Sequence, residues 1–185
     1  MNVKDKVVVD VGAYIGDSAI YFALKGAKKV IAIEPHPQAF REMVENVRLN
    51  SLEDRILPIN AGLASKLGNV CVEEVDIEGT SVKYYRPTNC IGAVPVITLG
   101  EVISKHCITG DLAVLKMDCE GCEYDIILND YNRLSIFKEL LFEYHACNVG
   151  ISVSRLLKKL AKDYNCYVVV KKGKGFWLNT LPQKS

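Results

Sequence analysis

The sequence predicts an α/β protein. It would have a mostly parallel seven-stranded sheet with helices on both faces, an antiparallel last strand and a small hairpin insertion over about 69–97. Three observations lead there. Short unbroken apolar runs such as Val7-Val8-Val9 and Ala113-Val114-Leu115 read as strands buried on both faces. Segments of helical period separate them. The last two runs flank Lys171-Lys172-Gly173-Lys174, a hairpin that reverses the final strand.

The elements follow in order. Residues 6–11 form an apolar strand ending at Asp10-Val11, and Gly12 and Gly16 punctuate the turn after it. Asp17 or Ser18 caps the next helix, which Gly26 ends. Lys29–Glu34 is a second strand, stopped by Pro35 and Pro37. Phe40, Met43, Val44 and Val47 fall at i, i+3, i+4 and i+7 and predict an amphipathic helix. Arg55–Asn60 is a third strand, and Pro58 assigns it to an edge or a bulge. Val70–Val75 and Ser81–Tyr85 would pair around Asp76–Gly79, with a further strand near Val94–Ile97. A short helix over Leu99–Ile103 precedes a buried strand over 112–117 that ends at Asp118. A helix from about Glu123 to Leu128 and a strand from Glu139 to Tyr144 come next. Val153, Leu156, Leu157 and Leu160 mark the last helix, before strands at Cys166–Val170 and Gly175–Asn179.

At 185 residues and 49% hydrophobic content the chain suits one domain over 1–185 with a proper core. Its apolar runs are too short to span a bilayer, and its first residues lack the apolar stretch of a signal peptide. The expectation is a cytoplasmic protein with no membrane partner and with its seven cysteines reduced. Cys119-Glu-Gly-Cys122 has CxxC spacing, but no second such pair accompanies it as a zinc site would require. Net charge is +1, yet from Arg155 onward eight basic residues stand against one acid, Asp163. That tail is a solvated face or a surface for phosphate or nucleic acid.

Ligands of open α/β sheets bind beyond the carboxyl ends of the strands. Asp10, Glu34, Asp118 and Glu143 all fall at or near such ends. The turn Gly12-Ala13-Tyr14-Ile15-Gly16 spaces its glycines unlike a dinucleotide turn, and Asp17 would repel a pyrophosphate. Two acids around a wide glycine turn suit a cofactor with a cationic, zwitterionic end, as S-adenosylmethionine has. Glu34 can accept two ribose hydroxyls, and Asn60-Ala61 is placed to line an adenine. A NAD-dependent oxidoreductase is disfavoured by the same glycine spacing.

The ordered stretches Val-Asp-Val-Gly-Ala-Tyr-Ile-Gly-Asp-Ser, Ala-Ile-Glu-Pro-His-Pro-Gln-Ala-Phe with Asn46 and Leu49-Asn50, Leu-Lys-Met-Asp-Cys-Glu-Gly-Cys-Glu and Phe-Glu-Tyr-His resemble the FkbM-type family of S-adenosylmethionine-dependent methyltransferases. The resemblance runs from about Val7 to His145. It implies a Rossmann-like methyltransferase fold and O-methylation of a hydroxyl on a sugar or other small molecule. It places Asp10, Gly12, Ala13, Tyr14, Gly16, Asp17 and Ser18 at the methionine end, Glu34 and Pro35 at the ribose and Asp118 beside the transferred methyl. The family usually has Asn where this chain has Tyr14. Many members carry an N-terminal covering segment, so a lid here would come from residues 69–97 or a partner subunit, or be absent.

For the chemistry the candidates are Asp118, Glu120, Glu143 and His145. His145 would be a general base oriented by a carboxylate. Alternatively, Asp118, Glu143 and His145 would hold a divalent metal that acidifies the acceptor hydroxyl, or His145 is structural. Lys116 is expected to span a strand end, and His36 and His106 to lie on the surface. Two other functions fit the sequence: an RNA methyltransferase using the basic C-terminal region, and a cofactor-binding protein without catalysis. Acceptor and oligomeric state are left open.

Overall fold

The computed structural model describes residues 1–72, 84–85, 93–145, 149–172 and 175–182. The main sheet has seven strands: β1 (Val7–Val11), β2 (Lys29–Ile33), β3 (Ile56–Ile59), β8 (Ala113–Met117), β9 (Glu139–Glu143), β10 (Tyr164–Lys172) and β11 (Gly175–Pro182). Their order across the sheet is β10-β11-β9-β8-β1-β2-β3. β1, β2, β3, β8 and β9 pair in parallel, while β11 runs antiparallel to both β9 and β10. The last strand therefore inserts between β9 and β10. β3 is an edge strand, which is where Pro58 can lack its N–H without breaking a ladder.

Side-chain alternation divides the core in two. Val9, Val11, Ile31, Ile33, Leu115 and Met117 face one side of the sheet, with Tyr124, Ile127, Leu156 and Leu160 from the helices that cover it. Val8, Val30 and Ala32 face the other side, against Ala19, Phe22, Met43 and Val47. These come from α1 (Asp17–Leu24) and α2 (Pro37–Leu49). The covering helices of the first face include α3 (Leu99–Lys105), α4 (Cys122–Asn129), the single turn α5 (Tyr131–Leu134) and α6 (Val153–Leu160).

Three expectations are revised here. The insertion is more than a hairpin over 69–97: a second sheet begins at β4 (Gly62–Leu63) and continues through β5 (Gly68–Val72), β6 (Tyr84–Tyr85) and β7 (Ala93–Ile97), in the order β4-β7-β5-β6. β4 is two residues long and pairs in parallel with β7, a contact that no local pattern announces. The predicted turn at Asp76–Gly79 lies outside the described residues, as do Cys90 and Cys147. Neither Asp17 nor Ser18 caps α1: Gly16, at φ 91°, is its N-cap, and no side chain accepts from the first N–H groups. His36 is buried, not on the surface. It caps α2, its Nδ1 accepting the Ala39 N–H at 3.3 Å. No helix among the described residues is long and apolar enough to cross a membrane.

Candidate active site

The turn after β1 is the first wall of the site. Gly12 has φ 71°, and a Cβ there would come within 1.7 Å of the Asp118 carbonyl oxygen. Only glycine lets the loop after β1 pass so close to the loop after β8. The Asp118 N–H donates to the Val11 carbonyl at 2.9 Å, and the Gly12 N–H to that of Ile33. Tyr14 also has a left-handed backbone, φ 51°. Asparagine tolerates that region better than tyrosine does, which accounts physically for the family's usual residue there. Asn46 of α2 donates its Nδ2–H to the Ile15 carbonyl at 2.9 Å and so holds the far side of the turn.

Beneath the turn lies a buried ion pair. Asp10 and Lys116 are register partners on adjacent strands and point to the same face. The Lys116 ammonium stands 2.9 Å from Asp10 Oδ1 and donates to the Gly12 carbonyl at 2.9 Å, with the Val11 carbonyl at 3.5 Å. The Ser18 hydroxyl donates to Asp10 Oδ2 at 2.6 Å. Burial alone would lower the lysine's pKa, but the attraction of Asp10, Asp118 and Asp17 prevails and raises it. Asp10 is 0% exposed. It shapes the turn from below, and Ser18 is engaged with it, whereas Asp17 is exposed in the first turn of α1.

Glu34 ends β2 at the second wall. Its carboxylate accepts the Tyr14 N–H on Oε2 at 2.9 Å and the His36 N–H on Oε1 at 2.7 Å. Burial raises its pKa, partly offset by these two N–H groups. Each oxygen keeps a lone pair for a further donor. Asn60 donates to the Glu34 and Pro35 carbonyls at 2.9 and 3.1 Å and thereby fixes the end of β2. Beside this corner lies a cavity of about 380 Å³. Gly12, Pro35 and Ala61 line it on the main-sheet side, Leu63 and Val96 on the small-sheet side, and Glu120 at the far end. Ala13 is buried behind the turn.

The third wall is the turn Asp118–Cys122. Glu120, at φ 54°, and Gly121, at φ 125°, make a left-handed reversal that starts α4. It brings the Cα atoms of Cys119 and Cys122 to 5.4 Å, and their sulfurs are bonded. The expectation of reduced thiols is therefore corrected here, and Cys71 is disulfide-bonded as well. Among the described cysteines, Cys107 and Cys166 are free.

His145, just past β9, meets this turn. Its Nε2 lies 3.4 Å from Glu120 Oε1 and 3.8 Å from Asp118 Oδ1. Its Nδ1 is 3.2 Å from Glu123 Oε1, and its main-chain N–H donates to the same oxygen at 2.9 Å. Burial disfavours the imidazolium, but the hydrogen bond to Glu123 and the charges of Glu123, Glu120 and Asp118 outweigh it and push the pKa up to about 9. A pKa raised to about 9 favours the imidazolium at neutral pH, so a base role would require the ring to give up that proton first. Asp118 is 31% exposed in its side chain, and burial raises its pKa against the pull of Lys116 and His145. Its carboxylate is thereby a better proton acceptor than an ordinary aspartate. Asp118, Glu143 and His145 each offer a ligand atom within 4.8 Å of the others. A metal there would have to displace a proton from the His145 ring, since an imidazolium has no lone pair to give.

The structure brings Gly12, Pro35, Ala61 and Glu120, all singled out in the sequence, to one cavity, and Asp118, Glu143 and His145 to one cluster. Sequence reasoning missed Glu123, the ion pair of Lys116 with Asp10 and the capping role of His36. Glu123 is 0% exposed, yet it stands in a motif already quoted. A charged residue at a helical position one turn from an apolar run was the available signal.

The comparisons with known proteins follow this geometry. Residues 10–164 match the model of the methyltransferase FkbM domain. The chain belongs to the FkbM methyltransferase family. It is 28% identical over 161 residues to the hexuronic acid methyltransferase AglP of Haloferax volcanii, 84% of this chain and 63% of that one. It is 34% identical over 131 residues to the tRNA (guanine(37)-N(1))-methyltransferase Trm5b of Methanocaldococcus jannaschii, 65% of this chain and 36% of that one. The chain thus spans less than two thirds of either relative. A crystal structure of methyltransferase FkbM from Methylobacillus flagellatus superposes with TM-score 0.63 at 18% identity, over 95% of this chain and 43% of that one. TrmK of M. capricolum, solved with S-adenosyl-homocysteine, gives 0.58 at 13% identity, over 97% and 63%. These likenesses establish a Rossmann-like methyltransferase fold.

Proposed function

We propose that the protein transfers a methyl group from S-adenosylmethionine to a hydroxyl of a sugar or other small molecule. The observation that carries this is the Glu34 carboxylate beside an apolar cavity that Pro35, Ala61 and Leu63 line together with Glu120 and Gly121. An adenosine needs an apolar slot beside a diol acceptor. Pro35, Ala61 and Leu63 would supply the slot and Glu34 the acceptor. A sulfonium is favoured by carboxylates gathered around it. Asp118, Glu120 and Glu143 outnumber His145 around that end. The uncapped N–H groups of α1 stand behind Gly16 for a carboxylate.

When bound, the cofactor supplies an electrophilic methyl carbon and a sulfur that leaves as a neutral thioether. The chain supplies alignment and proton removal. The Asp118 carboxylate would take the proton that the acceptor hydroxyl loses on methylation. The imidazolium of His145 spreads charge over Asp118 and Glu120 and holds them in place. The small sheet, through Leu63 and Val96, would cover the adenine end as the lid.

Calorimetry with S-adenosylmethionine, S-adenosylhomocysteine and NAD tests the reading, followed by transfer of labelled methyl to hydroxylated acceptors. Tight NAD binding with no response to the other two overturns it. RNA methylation is the second reading. It is favoured by Arg155, Lys158 and Lys162, exposed on and just after α6, and by the likeness to a tRNA methyltransferase. It requires RNA binding that weakens steeply with salt; flat binding removes it. Asp118→Asn that binds cofactor but transfers nothing, against a wild type that transfers, excludes a non-catalytic binding protein.

A further inference from the structure

Glu123 has no part in the chemistry described above, yet its carboxylate is fully enclosed, as only Asp10 is among the other acids near the site. It sits in the first turn of α4 with no solvent exposure. Its Oε2 accepts the Gly121 N–H at 2.9 Å, inside the turn that carries Asp118 and Glu120. Its Oε1 accepts the His145 main-chain N–H at 2.9 Å and meets His145 Nδ1 at 3.2 Å. One side chain therefore joins two segments that the sequence separates by more than twenty residues, the turn after β8 and the exit of β9. We propose that Glu123 is the positioning residue of the reaction, holding the acidic turn and the His145 ring in one fixed relation so that Nε2–H points at Asp118 and Glu120.

The physical argument is directional. A carboxylate has only acceptors, so every partner must present a donor. Glu123 therefore dictates that Nδ1 carries a proton. That leaves Nε2 as the atom facing Asp118 and Glu120, at 3.8 and 3.4 Å. The groups facing the ring are Asp118 and Glu120 from the turn, Glu123 from α4 and Glu143 from its own strand. All four are acids, and only Glu123 is closed off from water, so its charge is the one least screened. A neutral amide in its place would present N–H against N–H on one side. The ring would be free to turn, and the reversal at Gly121 would lose its anchor.

This role rests on the methyl-transfer reading, and the experiment separates the two. Glu123→Gln and Glu123→Asp are compared with wild type by thermal unfolding, S-adenosylhomocysteine binding, methyl-transfer kinetics and ¹⁵N NMR of the His145 ring near neutral pH. Wild type should show both ring nitrogens protonated. Glu123→Gln should shift them toward the neutral ring and lower kcat about 100-fold. Its affinity for S-adenosylhomocysteine should stay within about threefold, as for loss of a transition-state arrangement. Glu123→Asp, which keeps the charge on a shorter stem, should restore the charged ring and part of kcat. If Glu123→Gln fails to fold, the Asp variant decides by the same readouts. Wild-type ring shifts or wild-type kcat in a folded Gln variant overturn the proposal. So does a loss of product affinity that parallels the loss of kcat, which marks a general scaffold role. If wild type neither binds S-adenosylhomocysteine nor transfers methyl, the functional reading fails, while the ring shifts still decide whether Glu123 sets His145.

Discussion

Replacing Lys116 by Met is the sharpest perturbation this fold offers. The ammonium is 5% exposed and its partner Asp10 is 0% exposed, so the pair lies out of water, with the Ser18 hydroxyl also donating to the carboxylate. Met keeps the stem's volume and apolar packing and deletes the charge. Asp10 is then a buried carboxylate with one hydroxyl donor, and the Gly12 carbonyl loses the ammonium, while the Val11 carbonyl keeps the Asp118 N–H. Breaking a buried pair by removing one partner costs about 3–5 kcal/mol. A domain of this kind is stable by about 5–15 kcal/mol in all. Neutralising the orphan as well, in Asp10→Asn with Lys116→Met, should recover about 2 kcal/mol, a coupling typical of groups in direct contact. Urea unfolding of wild type, both single variants and the double variant measures the cycle. A cost under about 1 kcal/mol for Lys116→Met, or additivity within about 0.5 kcal/mol, would refute a buried pair as the support of the Gly12 turn.

Three further outcomes are expected. The folded pKa of His145 is raised to about 9 from an ordinary 6.5, so its stabilisation is complete below that ordinary value and is lost as pH rises through the folded one. The loss is about 2 kcal/mol after allowance for solvent screening, seen as a falling denaturation midpoint that His145→Gln flattens. Gly12→Ala puts a Cβ at 1.7 Å from the Asp118 carbonyl oxygen on a left-handed backbone, and should cost at least about 2 kcal/mol and weaken cofactor binding. Wild-type unfolding in that variant would mean the two loops do not touch. At Tyr14, with φ 51°, the Gly variant should be more stable than the Ala variant by about 1 kcal/mol, since both lack the ring and differ only in backbone freedom. Equal midpoints would exclude a left-handed residue there.

Much of the site was legible because it is local. Gly12, Glu34, Pro35 and Asp118 sit at strand ends, and strand ends are marked by where an apolar run stops and a glycine, proline or acid follows. The edge position of β3 was written in Pro58 for the same reason: a missing N–H is a property of one residue. What escaped the pattern is pairwise. Lys116 reads as an oddity in a buried strand until β8 is laid beside β1, when register sets it opposite Asp10. Glu123 reads as one more acid until β9 delivers His145 to it. His36 reads as a surface histidine until α2 starts at Pro37 and needs a cap. The charge of His145 escaped the pattern on the same ground, since it depends on which acids the fold gathers round the ring, and here they are Asp118, Glu120 and Glu123.

By itself the sequence determined the α/β class, the placement of the glycine turn and the strand-end acids, because propensity, periodicity and turn chemistry act within a few residues. The tertiary structure decided which acids remain free to work and which are spent on neighbours. Asp10 is consumed by Lys116 and Ser18 and Glu123 by Gly121 and His145, while Asp118 keeps 31% of its side chain exposed. Burial and charge pairing depend on distances across the sheet, and those exist only once the strands have been laid side by side.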